Sequence, residues 1–300
     1  MDPAALAAAP RLAPDILYPE QIGHEGQPDL GDGMYAWHLL AEGDSWFTIG
    51  AVPSSNLLYE LRFPRWTQVL NLAYPGDTLR HIGDIAGNGD LKKWLAKPGF
   101  AAPFTALLLS GGGNDLIDAA SALISPAPLD GQDPKRPESY LHGAAVTELI
   151  ETVQDGLRRI IALRDSEGSK SRGAPAFVHT YDYATPRNAP ARFLSGPAVS
   201  GPWLYRALQP TGLDIGLQQR IADVLIDRLA EGLWALDCTR GMEGLRLPAF
   251  HVVETRNTLV RANPTELGSS NDWLNEIHPT MEGYRKVAAQ ISAHVGRLLD

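Results

Sequence analysis

The sequence predicts an α/β protein with a mainly parallel sheet of about five strands and helices on both of its faces. Short apolar runs of strand length alternate with longer amphipathic runs along the whole chain. That alternation is the mark of strand–helix–strand crossovers, which build parallel sheets. The longer runs repeat their apolar residues at spacings of three and four, the period of a helix with one buried face. The two kinds of run never segregate into separate halves, so residues 33–300 are read as one domain.

The strand-length runs are 35–42, 67–73, 104–110, 176–181 and 249–254. Most of them end in Gly, Ser or a polar cluster. Helical patterns fall at 54–62, 78–86, 91–96, 114–123, 140–164, 216–236 and 279–299. Within 140–164 the apolar positions are Val146, Leu149, Ile150, Val153, Leu157, Ile160 and Ile161. Pro279 suits the first turn of the last helix, where no N–H is needed. Residues 1–32, rich in Ala, Pro and Gly, read as an extended arm. Residues 184–214 form a long insertion with five prolines and with Phe193, Trp203 and Tyr205. A loop of that length in a compact domain is usually functional or mobile, and we read it as a lid or pocket wall.

Composition narrows the function. A net charge of −9 lacks the basic face that nucleic acid requires. No run has the length of a transmembrane helix. The N-terminus has no basic start followed by a continuous apolar centre, so it is not read as a signal peptide. The single cysteine, Cys238, rules out an internal disulfide. Together these lead us to expect a cytoplasmic protein. Oligomeric state is not encoded in any pattern we can read.

Four short blocks carry the chemistry. The first strand runs into Gly43, Asp44 and Ser45. The second runs into a segment containing Tyr74, Pro75, Gly76 and Asp77. The third runs into Ser110, three glycines, Asn114 and Asp115. Near the C-terminus come Asn275, Glu276, Ile277, His278 and Pro279. The first three blocks follow a strand and precede a helix, so they converge on the carboxyl edge of the sheet, where ligands bind in open α/β folds.

In order and context the blocks resemble the SGNH, or GDSL-type, serine hydrolases. The resemblance spans residues 43–278 and implies a flavodoxin-like three-layer α/β/α fold. It implies cleavage of a small-molecule or lipid ester, with no metal or organic cofactor. Matched block to block, Ser45 is the nucleophile, His278 the general base, and Gly76 and Asn114 oxyanion donors beside the Ser45 N–H. The chemistry is sound on its own terms. A serine hydroxyl needs an adjacent base, histidine titrates near neutrality, and fixed donors stabilise the tetrahedral oxyanion.

The chain departs from the family at Asn275, where an aspartate is usual. Asparagine can accept from the ring N–H but brings no charge. We favour orientation of His278 by Asn275 and keep Asp272, Glu276 and Asp182 as alternative acids. Trp46, Trp203 and Trp273 are candidate pocket walls. The cluster His179, Tyr181, Asp182 and Tyr183 either shapes the pocket or ties down the insertion. Acyl transfer to a hydroxyl other than water would use the same residues. The missing aspartate also motivates a non-catalytic binding protein on the same scaffold. A flavodoxin-like nucleotide binder is disfavoured, since residues 111–113 lead into Asn-Asp without the Lys-Ser/Thr phosphate grip.

Overall fold

The computed structural model describes residues 11–23, 30, 33–48, 55–192 and 199–300. Residues 1–10, 24–29 and 31–32 of the arm, residue 54 of the first expected helix and Phe193 of the insertion lie outside the described residues.

The chain enters through β1 (Asp15–Leu17) and β2 (Trp37–Gly43). The short helices α1 (Ser45–Thr48) and α2 (Leu57–Glu60) lead to β3 (Thr67–Asn71). Then α3 (Leu79–Ile82) and α4 (Gly89–Ala96) lead to β4 (Ala106–Ser110). Next, α5 (Gly113–Leu123) and α6 (Gly143–Arg164) lead to β5 (Ala176–His179). The insertion supplies a small antiparallel hairpin, β6 (Ala191–Arg192) with β7 (Val199–Ser200), and α7 (Leu204–Leu208). Helix α8 (Ile215–Trp234), β8 (Phe250–Val253) and α9 (Met281–Leu299) follow.

One six-stranded sheet, ordered β1-β3-β2-β4-β5-β8 and parallel throughout, forms the middle layer. The sequence suggested about five strands. The extra one is β1, which lies in the extended arm and pairs on the sheet edge, Ile16 against Val69. It has three residues and buries only Leu17, too little to leave a run in the sequence. Strand β2 lies centrally, with Leu39 opposite both Val69 and Ala106. All its residues but His38 are buried. Burial on both faces is why this strand reads as a continuous apolar run rather than an alternating one.

Helices cover both faces, giving three layers. Helix α9 packs with α2 in one layer, while α6 packs against α3, α4, α5 and α8 in the other. Buried Tyr284, Val287, Ala288, Ile291 and Val295 form the inner stripe of α9. Among the described residues no helix is long and apolar enough to cross a membrane.

The sheet positions the site through the ends of its strands. Gly43, Asn71, Ser110 and His179 are the last residues of β2, β3, β4 and β5. Gly43 lies opposite Ser110, and a Cβ on it would stand 2.3 Å from the Ser110 carbonyl oxygen. Only glycine permits that approach, and the next residue, Asp44, donates its N–H to the same oxygen at 3.1 Å. The chain therefore leaves β2 pinned to β4, and Ser45 begins α1 at a fixed place.

Candidate active site

Ser45 and His278 are 233 residues apart in sequence, yet Ser45 Oγ lies 2.8 Å from His278 Nε2. Both are buried, at 5% and 3% exposure. The histidine is delivered by a tightly cross-bonded loop. Leu274 N–H donates to the His278 carbonyl at 2.9 Å, and Thr280 N–H to that of Asp272 at 2.8 Å. Thr280 then caps α9 by accepting the Gly283 N–H at 3.1 Å.

Asn275 sets the tautomer. Its Oδ1 accepts the backbone N–H groups of Ile277 at 3.1 Å and His278 at 2.9 Å. Two backbone donors identify this atom as the amide oxygen, because the NH2 end cannot accept. The same oxygen lies 3.1 Å from His278 Nδ1, so Nδ1 carries the ring proton. Nε2 is left with a lone pair facing the serine hydroxyl. Burial holds the His278 pKa down at about 4, so the ring is neutral at neutral pH.

The second and third blocks are joined to each other. Asn114 Nδ2 donates to the Asp77 carbonyl at 2.8 Å. Asp115 accepts the N–H groups of Leu79 at 2.8 Å and Arg80 at 3.3 Å, capping α3. Tyr74 N–H donates to the Gly43 carbonyl at 2.9 Å. Gly76 sits inside this anchored loop at φ +86°, a left-handed conformation that suits glycine. It is exposed, and no hydrogen bond joins it to Ser45 or His278. Asn114 lines a pocket with Ser45, whereas Gly76 stands outside that lining.

Each of the three alternative acids spends its oxygens elsewhere. Asp182 accepts the N–H groups of Asn257, Thr258 and Leu259 at 2.7–2.8 Å, holding the turn after β8. Asp272 takes the Lys286 ammonium at 2.7 Å and the Val260 N–H at 2.6 Å. Glu276 accepts four backbone N–H groups from the insertion, those of Arg187, Trp203, Leu204 and Tyr205. None has a hydrogen bond to His278, whose ring faces Asn275 and Ser45.

Beneath Ser45 runs a buried polar chain. Asp44 accepts the Tyr181 hydroxyl at 2.5 Å, the Ser110 hydroxyl at 2.7 Å and the Trp46 N–H at 3.0 Å. His179 Nδ1 accepts the Tyr181 N–H at 3.2 Å, so its Nε2 proton points to Ser110 Oγ, 2.9 Å away. Burial pushes the Asp44 carboxyl up to about 6 against the pull of those donors, and the His179 ring down to about 3. Asp44 and Ser110 carry no role of their own in the sequence reading. The only signal was the polar-aromatic cluster at the end of β5.

Of the three tryptophans, Trp46 and Trp273 line the pocket. Trp46 stacks on His179 with ring centroids 5.2 Å apart and donates its indole N–H to the Ile277 carbonyl at 3.2 Å. Trp203 stands edge-on to His278, centroids 5.9 Å apart, outside the pocket lining.

Fold and site together define a class of arrangement: a three-layer α/β/α sandwich with a buried serine–histidine–asparagine chain at the carboxyl edge of its sheet. No family model and no curated protein matches the chain. Solved structures do match it. The inhibitor-bound form of an aryl esterase from M. smegmatis is 13% identical over 88% of this chain and 100% of its own, at a TM-score of 0.46. A possible lipase from Chitinophaga pinensis is 14% identical over 87% of this chain and 98% of its own, at 0.42. A carbohydrate acetylesterase from Sinorhizobium meliloti is 13% identical over 87% and 99%, at 0.37. The functional reading below rests on this chain's own side chains.

Proposed function

We propose that the protein is a serine esterase that cleaves a carboxylic ester through an acyl-enzyme on Ser45. The observation that carries this reading is the hydrogen-bonded chain from Ser45 Oγ through His278 to Asn275 Oδ1, with the ring tautomer set by two backbone N–H groups. His278 Nε2 takes the hydroxyl proton as Ser45 Oγ bonds to the ester carbonyl carbon. The tetrahedral oxyanion faces the Ser45 N–H, which at the first position of α1 has no acceptor within its own helix. It also faces Asn114 Nδ2, which holds a second proton beyond the one given to Asp77. The imidazolium then gives its proton to the departing alkoxide oxygen as the C–O bond breaks. Water repeats the sequence, losing a proton to Nε2 and releasing the acid and Ser45.

A fluorophosphonate probe tests the nucleophile. The wild-type protein is expected to label and Ser45→Ala not to; equal labelling of the two removes Ser45 from the mechanism. Turnover of p-nitrophenyl acetate that is lost in His278→Ala separates an enzyme from a binding protein built on the same scaffold.

A further inference from the structure

Taking Ser45 as the acyl acceptor, as proposed above, we infer that Glu276 is a positioning residue that sets acyl-chain specificity: it clamps the insertion so that Leu204 closes the pocket to all but short chains.

The pocket beside Ser45 is apolar and narrow. Its apolar walls include Leu116 and Ile117 of α5, Ile226 of α8, Leu204 of α7 and Trp273. Its volume is about 40 Å³. One water needs roughly 10–15 Å³, so the cavity suits an acyl chain of about two to four carbons. The insertion contributes Leu204 and, at its start, Ala184 to the lining, and Leu204 is the bulkier of the two. It is 1% exposed, and its short helix is held in place from outside the helix.

Glu276 does the holding. It is fully buried and lies two residues before His278 on the same loop. Oε1 accepts the N–H groups of Arg187 at 3.2 Å and Tyr205 at 2.7 Å. Oε2 accepts those of Leu204 at 3.1 Å and Trp203. A single carboxylate thus gathers two separate stretches of the insertion, at 187 and at 203–205. Arg187 closes the clasp from the other side: its guanidinium donates to the Asn275 carbonyl at 2.7 Å and the Glu266 carbonyl at 3.0 Å. The Glu276 N–H donates to the Ala189 carbonyl at 2.9 Å. The loop that carries the base and the wall that limits the substrate are therefore one interlocked unit.

Glutamine cannot replace this carboxylate. Its amide oxygen can serve one pair of N–H groups, and its NH2 would confront the other pair as donor against donor. The same conflict arises when Glu276 gains a proton. Burial pushes its carboxyl up to about 7, although the four N–H groups favour the charged form. Its charged neighbour is Arg187, which also feels Glu266. His278, on the same loop, titrates at about 4.

The experiment compares kcat and KM for p-nitrophenyl acetate, butyrate and octanoate in wild type, Glu276→Gln and Leu204→Ala, from pH 6 to 9. We expect the wild type to prefer acetate over octanoate. In both variants that preference should narrow by about tenfold, mainly through a lower KM for octanoate, the effect of relieving a tight apolar pocket. In wild type the preference should also weaken as pH falls through 7, and in Glu276→Gln it should not vary there. If Glu276→Gln does not fold, Leu204→Ala and the wild-type pH series carry the test alone. An unchanged chain-length profile in protein that still labels with fluorophosphonate overturns the clamp and leaves Ser45 standing. A wild type that does not label overturns the esterase reading, and this inference with it.

Discussion

Replacing Asn275 by aspartate puts one negative charge against His278 Nδ1, 3.1 Å away, and changes almost nothing else. The new carboxylate would meet three donors already in place: the ring N–H and the N–H groups of Ile277 and His278. Those donors offset much of the cost of burying the charge. An opposite charge at this range raises the pKa of its partner by about 1–3 units. Starting from about 4, the imidazole should titrate between roughly 5 and 7. Each unit is about 1.4 kcal/mol of extra stabilisation for the imidazolium. If half of that is felt in the transition state, kcat/KM on its plateau rises by about 3- to 30-fold. The assay is the pH profile of kcat/KM on p-nitrophenyl acetate. Asp44 at about 6 and Glu276 at about 7 titrate in both proteins and cancel from the comparison. The expected result is an acid limb displaced upward together with a higher plateau. Asn275→Ala, which leaves the ring free to adopt either tautomer, should lose about 10²- to 10⁴-fold. An acid limb that stays put in the aspartate variant, or an alanine variant within about threefold of wild type, refutes the orienting role of Asn275.

Two further expectations follow from buried polar groups. Asn114→Ala removes the proposed oxyanion donor and should lower kcat by about 10²- to 10³-fold with little change in KM; equal losses in both parameters, or none, would take Asn114 out of the proposed oxyanion site. Glu42 concerns stability. Burial raises its carboxyl from 4.5 to about 8, so between those values the folded protein keeps a proton that the unfolded chain has lost. The stability it contributes is fully present below about 4.5 and falls by about 1.4 kcal/mol per pH unit as pH rises towards 8. Denaturant titrations of Glu42→Gln at pH 6 and 8 should therefore show a drop smaller than the wild type's by about 2–3 kcal/mol, and parallel drops would refute the assignment.

What was legible in the sequence is what local chemistry encodes. Five strands showed because each spans four or more mostly buried residues; β1 did not, because an edge strand of three residues with one buried side chain leaves no pattern. Ser45, Asn114 and His278 could be singled out as candidates because each sits in a short block at a loop-to-helix junction. The partners of the carboxylates could not. Asp182 is satisfied by N–H groups 75 to 77 residues away, and Glu276 by groups 71 to 89 residues away. Backbone N–H groups carry no residue identity, so nothing in the sequence says which of them a given carboxylate will meet. Asp44 was equally hidden, since its hydroxyl partners Ser110 and Tyr181 lie 66 and 137 residues away, at the end of β4 and just past β5.

A neutral orienter has a consequence for the range in which the proposed enzyme can work. Serine needs the free-base imidazole, and the fraction in that form depends on the ring pKa. With the ring at about 4, about 90% of His278 is free base at pH 5. A histidine at an ordinary pKa near 6.5 would be only about 3% free base there. Asn275 itself does not titrate, so no carboxyl must stay ionised beside the ring for the tautomer to be correct. The cost is a less stabilised imidazolium in the transition state, and hence a slower plateau. Asparagine at position 275 therefore exchanges rate at neutral pH for a base that stays ready in acid, and the aspartate variant should reverse both halves of that exchange at once.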